Sequence, residues 1–220
     1  MTLPIRHARV LENRVLAPGS HELILERGDI SFRAGEEIEV QGPDPTGRRT
    51  YSLSGGEREA ALRILFRVIP DGVLSPRLAR LGPGDNVDFT GPFGSFILHA
   101  PPRPLCFVAT GTGIAPLLSY IRTHPDARPT VLHGVRRESD LYARAEVESH
   151  GARYLPCVSG ERCARAHNGR VTDLLHGLDL PADTGIYLCG SNAMIRDARE
   201  LLRQRGWPTQ LISAEPYYFW

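Results

Sequence analysis

Leu105-Cys-Phe-Val-Ala-Thr110-Gly-Thr-Gly113-Ile-Ala-Pro116 is the stretch on which the fold turns. Its apolar start reads as a buried strand over 105–109, a glycine-rich turn follows, and a helix over 114–122 begins at once. Glycines let the backbone approach a diphosphate, and the N–H groups at a helix start bind negative charge. Pro116 stands where the usual dinucleotide fingerprint has its third glycine. The pattern also fits a tight strand–helix turn without a ligand, so its place in the chain matters.

That place is the first strand of an alternating half. Downstream, strands are expected over 130–133, 154–158, 186–189 and 210–213, with helices over 141–149, 171–175 and 193–205. Such alternation predicts a parallel sheet with right-handed crossovers. Upstream the rhythm is different. Short β-forming runs over 21–25, 37–40, 50–53 and 62–69 are separated by Gly, Pro and Asp, as in a small antiparallel barrel or sandwich. One helix interrupts them, with Ser75 as N-cap, Pro76 at the first helical position and Gly82-Pro83-Gly84 as the stop. The Pro-rich stretch from Ala100 to Pro104 marks a boundary. Residues 1–101 and 102–220 are the expected domains: an antiparallel β-barrel, then an α/β parallel-sheet nucleotide-binding domain.

Composition excludes several chemistries. The 220 residues carry 26 basic and 25 acidic side chains, for a net charge of +1, and every basic one is arginine. Without lysine there is no Walker-type phosphate lysine and no Schiff base. Arginine forks bidentately onto phosphates, which lysine does not; a GC-rich codon supply would also produce the bias. Cys106, Cys157, Cys163 and Cys189 include no CxxC pair, and the histidines are scattered, so neither an iron–sulfur cluster nor another metal site is expected. No apolar run approaches the roughly 18–20 residues of a membrane span. The N-terminal residues lack the form of a signal peptide, and a cytoplasmic protein with reduced thiols is expected. No basic stripe interleaved with aromatics suggests nucleic-acid binding.

Further motifs give the pattern a family likeness. Arg49-Thr50-Tyr51-Ser52 alternates an arginine, an aromatic and hydroxyls along a strand, which suits a phosphate and a flat ring but also an ordinary exposed face. Pro70-Asp-Gly-Val-Leu-Ser75-Pro-Arg77-Leu-Ala-Arg-Leu is followed by Pro83-Gly84-Asp85 and by Gly91-Pro-Phe-Gly94-Ser-Phe. Then come the turn above, Leu132-His-Gly-Val-Arg136, Leu188-Cys189-Gly190-Ser-Asn-Ala-Met194, and an ending Ala214-Glu215-Pro-Tyr-Tyr-Phe-Trp220. In this order and over nearly the whole chain, these motifs resemble the ferredoxin–NADP reductase family, and most of all its bacterial ferredoxin/flavodoxin reductases.

The resemblance implies an FAD barrel and an NADP domain. It implies that Arg49, Thr50, Tyr51, Ser52, Arg67, Val68, Gly72, Val73, Leu74, Ser75, Tyr217 and Trp220 hold FAD. Arg49 would take the diphosphate, Tyr51 would stack on the isoalloxazine, and Ser52 would bond near its N5. It implies that Thr110, Gly111, Thr112, Gly113, Cys189, Gly190 and Met194 receive NADP, and that Ser52, Cys189 and Glu215 serve catalysis. The family's usual Ser-Arg pair for the 2′-phosphate is here Ser159-Gly160; Arg136, Arg162, Arg165 and Arg170 are the candidates for the missing arginine, or are solvated loop residues. NADPH is expected, with NADH possible. The implied activity passes a nicotinamide hydride through FAD to a one-electron carrier, ferredoxin or flavodoxin, met transiently and electrostatically by a monomer. The reductase component of an oxygenase system, an NAD(P)H:flavin or ferric reductase, and a non-catalytic flavin-binding electron-transfer subunit are the alternatives.

Overall fold

The computed structural model describes residues 3–42, 47–98 and 104–217. They form two compact units. One holds the chain up to Leu98 together with Ala115–Thr123; the other holds the stretch leading to Ile114 and the chain from His124 onward.

The first unit contains β1 (Arg6–Ala17), β2 (Ser20–Glu26), β3 (Glu37–Val40), β4 (Arg49–Ser52), β5 (Ala61–Arg67), α1 (Leu74–Leu78) and β6 (Asn86–Phe93). The strands pair antiparallel in the order β4-β3-β6-β1-β2-β5, and a bridge from Leu53 to Ile64 joins the two ends into a barrel. Leu23, Leu25, Ile38, Leu53, Ile64 and Phe89 fill it and are fully buried.

Two of these strands, β1 and β6, were not expected from the sequence. In β1 the pairing with β2 shifts register between Val10 and Glu12 and again between Val15 and Ala17. Each shift breaks the period-two alternation that identifies a strand. In β6 the alternation is clean over Val87 and Phe89, but the strand runs on through Gly91-Pro92, which reads as a breaker.

The α1 helix corrects a second expectation. Val73, not Ser75, is its N-cap, so Ser75 and Pro76 lie within the first turn. Pro76 costs nothing there, because first-turn N–H groups have no partner inside the helix. The Ser75 hydroxyl instead accepts the Ile69 N–H at 2.9 Å and ties down the preceding loop. At the other end the Asn13 side-chain amide donates to Leu78 O at 3.0 Å and Leu81 O at 2.8 Å, and His21 Nδ1 lies 3.0 Å from Asn13 Oδ1. Two barrel strands thereby fix this short helix.

Helix α2 (Ala115–Thr123) also belongs to the first unit. Its Ser119 hydroxyl donates to Gly55 O at 2.6 Å, Arg122 donates to Ser54 O at 2.9 Å, and Thr123 Oγ1 accepts the Glu57 N–H at 3.0 Å.

The second unit contains β7 (Leu105–Thr110), a 3-10 turn (Gly111–Ile114), β8 (Thr130–Val135), α3 (Arg144–Ser149), β9 (Arg153–Val158), β10 (His167–Asn168), α4 (Val171–Gly177), β11 (Gly185–Ser191), α5 (Asn192–Gln204) and β12 (Ile212–Tyr217). All strands are parallel, in the order β10-β9-β8-β7-β11-β12. The central strand β7 is buried up to its last residue, as its unbroken apolar run requires. On α5, Met194, Ile195, Ala198 and Leu202 face the core and the charged residues face out. The α3 helix starts three residues later than expected, because a 3-10 turn over Glu138–Asp140 ends at Leu141 with ψ of 34°. No helix among the described residues is long and apolar enough to cross a membrane.

Candidate functional site

The order of the parallel sheet locates the nucleotide side. From β7 the chain moves outward through β8, β9 and β10, then returns to the other flank of β7 with β11. Ligands of open α/β sheets bind beyond the carboxyl ends of the strands at such a reversal. Here the turn after β7 meets the end of β11.

Five residues make that meeting close. A Cβ on Gly113 would run into the Cys189 carbonyl, and one on Gly190, at φ +132°, would run into the Thr110 hydroxyl. Thr110 Oγ1 accepts the Ser191 N–H at 2.9 Å, stitching the two strand ends together. Gly111 differs: its φ is +54°, and the space its side chain would take is open. An anion can therefore approach the backbone at Gly111, where Thr112 and Gly113 bring the N–H groups of a helical turn. Open backbone and N–H donors at a sheet reversal fit a dinucleotide diphosphate.

The neighbouring residues fall into place around this turn. Cys189 is a buried thiol at 4% exposure, in register with Ala109 on one side and Glu215 on the other. Glu215 and Tyr217 are half-buried on β12, with Tyr217 opposite Ser191. Met194 lies in the core, and its N–H is held by the Ser191 hydroxyl at 3.3 Å, the N-cap of α5. Like Cys189, Gly113 and Gly190, it is turned away from solvent.

The candidate phosphate arginines share the same edge of the sheet. Arg136 follows β8, Ser159 follows β9, and Arg170 follows β10; Arg136, Arg162, Arg165 and Arg170 are all exposed. The Gly160 N–H donates to Arg136 O at 2.9 Å, so the first two loops touch. The loop bearing Arg162 and Arg165 is folded by Asn168, whose side-chain oxygen accepts the Cys163 N–H at 2.8 Å and whose amide donates to Cys163 O at 2.9 Å.

On the flavin side, Arg49 and Thr50 are exposed on β4, Tyr51 is half-buried and Ser52 is buried. The Tyr51 ring meets Phe66 edge-on at 6.3 Å, and Phe66 stacks on His21 at 5.1 Å. Burial pushes the Tyr51 phenol up to about 12, so it stays neutral. Arg67 is exposed at the end of β5, and Val68 packs partly against the core. Gly72 sits between Ile69 and Val73, which are 38% and 60% exposed, while Leu74 and Ser75 are buried. Two exposed apolar side chains beside an arginine-bearing strand end suit a flat cofactor with a charged tail. Trp220 lies outside the described residues.

Sequence reasoning passed over His133 and Tyr154. His133 is fully buried in β8, with Nδ1 2.8 Å from the Tyr154 hydroxyl and Nε2 2.9 Å from Gly111 O. The available signal was a histidine inside the apolar run Val131-Leu-His-Gly-Val135.

The family model for an oxidoreductase FAD-binding domain matches residues 20–97, and that for an oxidoreductase NAD-binding domain matches residues 107–200. A ferredoxin–NADP reductase B from Sorangium cellulosum is 32% identical, over 96% of this chain and 96% of its own length. The reductase subunit of an aromatic O-demethylase from Amycolatopsis is 31% identical, over 99% of this chain and 71% of its own length. The chain spans little more than half of some other oxygenase electron-transfer components that it matches, 56% and 55%. Among solved structures, a ferredoxin NADP+ reductase from Neisseria gonorrhoeae with bound FAD and NADP superposes with a TM-score of 0.88 at 20% identity, covering 97% of this chain and 99% of that one.

Proposed function

We propose, since the chain belongs to the ferredoxin–NADP reductase family, that it oxidises NADPH with FAD and passes the electrons to a one-electron carrier. When bound, FAD accepts a nicotinamide hydride and releases electrons singly, which is the chemistry the site requires. The observation that carries the reading is the turn at Gly111–Gly113, open to an anion at the reversal of the parallel sheet.

The chain's own residues have separable duties in this reading. Residues 1–101 form the FAD domain and residues 102–220 the NAD(P) domain. Arg49 takes the FAD diphosphate, Tyr51 offers a neutral ring for stacking, and Ser52 holds a hydrogen bond at the flavin. Thr50, Arg67, Val68, Gly72 and Val73 contact the cofactor, and buried Leu74 and Ser75 hold their loop. Thr110, Gly111, Thr112, Gly113 and Gly190 cradle the nicotinamide nucleotide. Cys189 and Glu215, paired across β11 and β12, line the reacting end. Arg136, Arg162, Arg165 and Arg170, with Ser159, read the 2′-phosphate.

The partner is an acidic ferredoxin or a flavodoxin, met transiently by a monomeric, cytoplasmic protein. The specific test is reduction of a ferredoxin and a flavodoxin by the FAD-loaded chain with NADPH or NADH. NADPH should give the higher kcat/KM, and one of the two carriers should turn over. An NADH preference would remove the phosphate-reading role from the arginines.

The second reading, the reductase of an oxygenase system, is favoured by the 31% identity to the demethylase reductase subunit. A carrier panel separates the two, since that reading requires turnover with an oxygenase component and none with free ferredoxin or flavodoxin.

A further inference from the structure

The His133 contacts define one tautomer. A carbonyl can only accept, so Nε2, 2.9 Å from Gly111 O, carries the proton. Nδ1 is then the acceptor for the Tyr154 O–H at 2.8 Å. His133 on β8 and Tyr154 on the adjacent β9 are both buried. Burial also lowers the imidazole to about 4 despite the nearby Asp140 charge, so this neutral arrangement persists at physiological pH.

What the imidazole holds is the first carbonyl of the 3-10 turn over Gly111–Ile114, an added bond that fixes how this peptide is oriented. Gly111 has a positive φ, no side chain, and open space on its Cα. The planar trans peptide sets the Gly111 carbonyl and the Thr112 N–H antiparallel. With the carbonyl bonded to His133, the N–H points away from the imidazole. A flip of that peptide would present an oxygen, not a donor, to an anion at the turn.

We infer that His133 and Tyr154 are positioning residues for nucleotide binding: they latch the Gly111–Thr112 peptide so that the Thr112 N–H serves the dinucleotide diphosphate. The inference rests on the reading of this turn as the NAD(P) diphosphate site. Because both nucleotides share the diphosphate, the latch acts equally on NADP and NAD, unlike the arginines.

The test compares wild type, His133→Phe, His133→Gln and Tyr154→Phe as FAD-loaded full-length proteins. Dissociation constants for NADP+ and NAD+ come from difference spectra; kcat, KM for NADPH, FAD content and Tm are measured alongside. His133→Phe should weaken both nucleotides about tenfold, the scale of one lost hydrogen bond to a charge-binding peptide, with FAD content and kcat near wild type. The NADP+ to NAD+ ratio should not change. His133→Gln, which keeps a donor and an acceptor, should recover most of the affinity, and Tyr154→Phe should fall between. Unchanged affinity in folded His133→Phe, or no recovery in His133→Gln, would overturn the inference. Should His133→Phe fail to fold, unchanged affinity in Tyr154→Phe overturns it equally. A wild-type protein that binds neither nucleotide would overturn the functional reading itself, and this inference with it.

Discussion

Gly190 shows how much a single residue constrains the nucleotide side. Its φ of +132° is a conformation that other residues rarely adopt, and the Thr110 hydroxyl occupies the place of its side chain. Gly190→Ala should therefore cost at least about 2 kcal/mol, through strain and overpacking, and raise KM for NADPH. Urea unfolding and steady-state kinetics check this. His133 makes a pH prediction. Its imidazole titrates at about 4 in the fold against 6.5 when exposed, mainly through desolvation. Between those values the unfolded chain binds a proton that the folded chain does not, so stability falls as pH drops from 6.5 to 4. The loss is of order 3 kcal/mol and absent above 6.5. Tyr154 on β9 and Asp140 are the titratable groups facing it. In His133→Gln the unfolding free energy should lose this slope; an equal slope in both proteins would show that other groups produce it.

Single elements are held by side chains from their neighbours. Asn13 satisfies the carbonyls at the end of α1, which has too few residues to persist alone. Asn13→Ala should cost about 1–3 kcal/mol, the penalty for orphaned carbonyls, and weaken FAD binding by loosening the loop from Ile69 to Ser75. Titration with FAD and urea unfolding measure both. Asn168 has the same part in the arginine loop. Asn168→Ala should lower kcat/KM for NADPH about tenfold with little change for NADH. The elements also show what a sequence can carry. The alternating half was legible because β7 and α5 follow their patterns without interruption. The turn at Gly111–Gly113 was legible as a strand-to-helix turn because its glycines are a local signal. β1 was hidden by two register shifts, which depend on the partner strand. Ser75 was misplaced as a cap because its bond to Ile69 is set by loop closure. His133 was missed because its partners come from two other strands' ends, a juxtaposition that only folding creates.

Across the whole molecule the lysine-free composition separates into distinct uses. Arg27 spans three backbone carbonyls, those of Ile30, Glu57 and Glu59, and lies over Phe32 at 4.9 Å. Arg205 bridges Leu175 O and Leu178 O at the end of α4. Arg63 and Arg122 face Glu22, buried at 4% exposure. A planar fork makes several bonds at once where an ammonium is a point charge, so these positions need arginine irrespective of codon supply. The arginines after β8, β9 and β10 are exposed, and the proposed function assigns them to a phosphate. In the proposed function one chain holds FAD and takes electrons onto it from a nicotinamide nucleotide. Anaerobic mixing of the FAD-loaded protein with NADPH tests it most directly, followed through the visible absorbance of the flavin. NADPH should bleach the flavin rapidly and NADH more slowly, and colour should return on adding an oxidised one-electron carrier. Retained colour with both nucleotides, or a protein that cannot take up FAD, would contradict it.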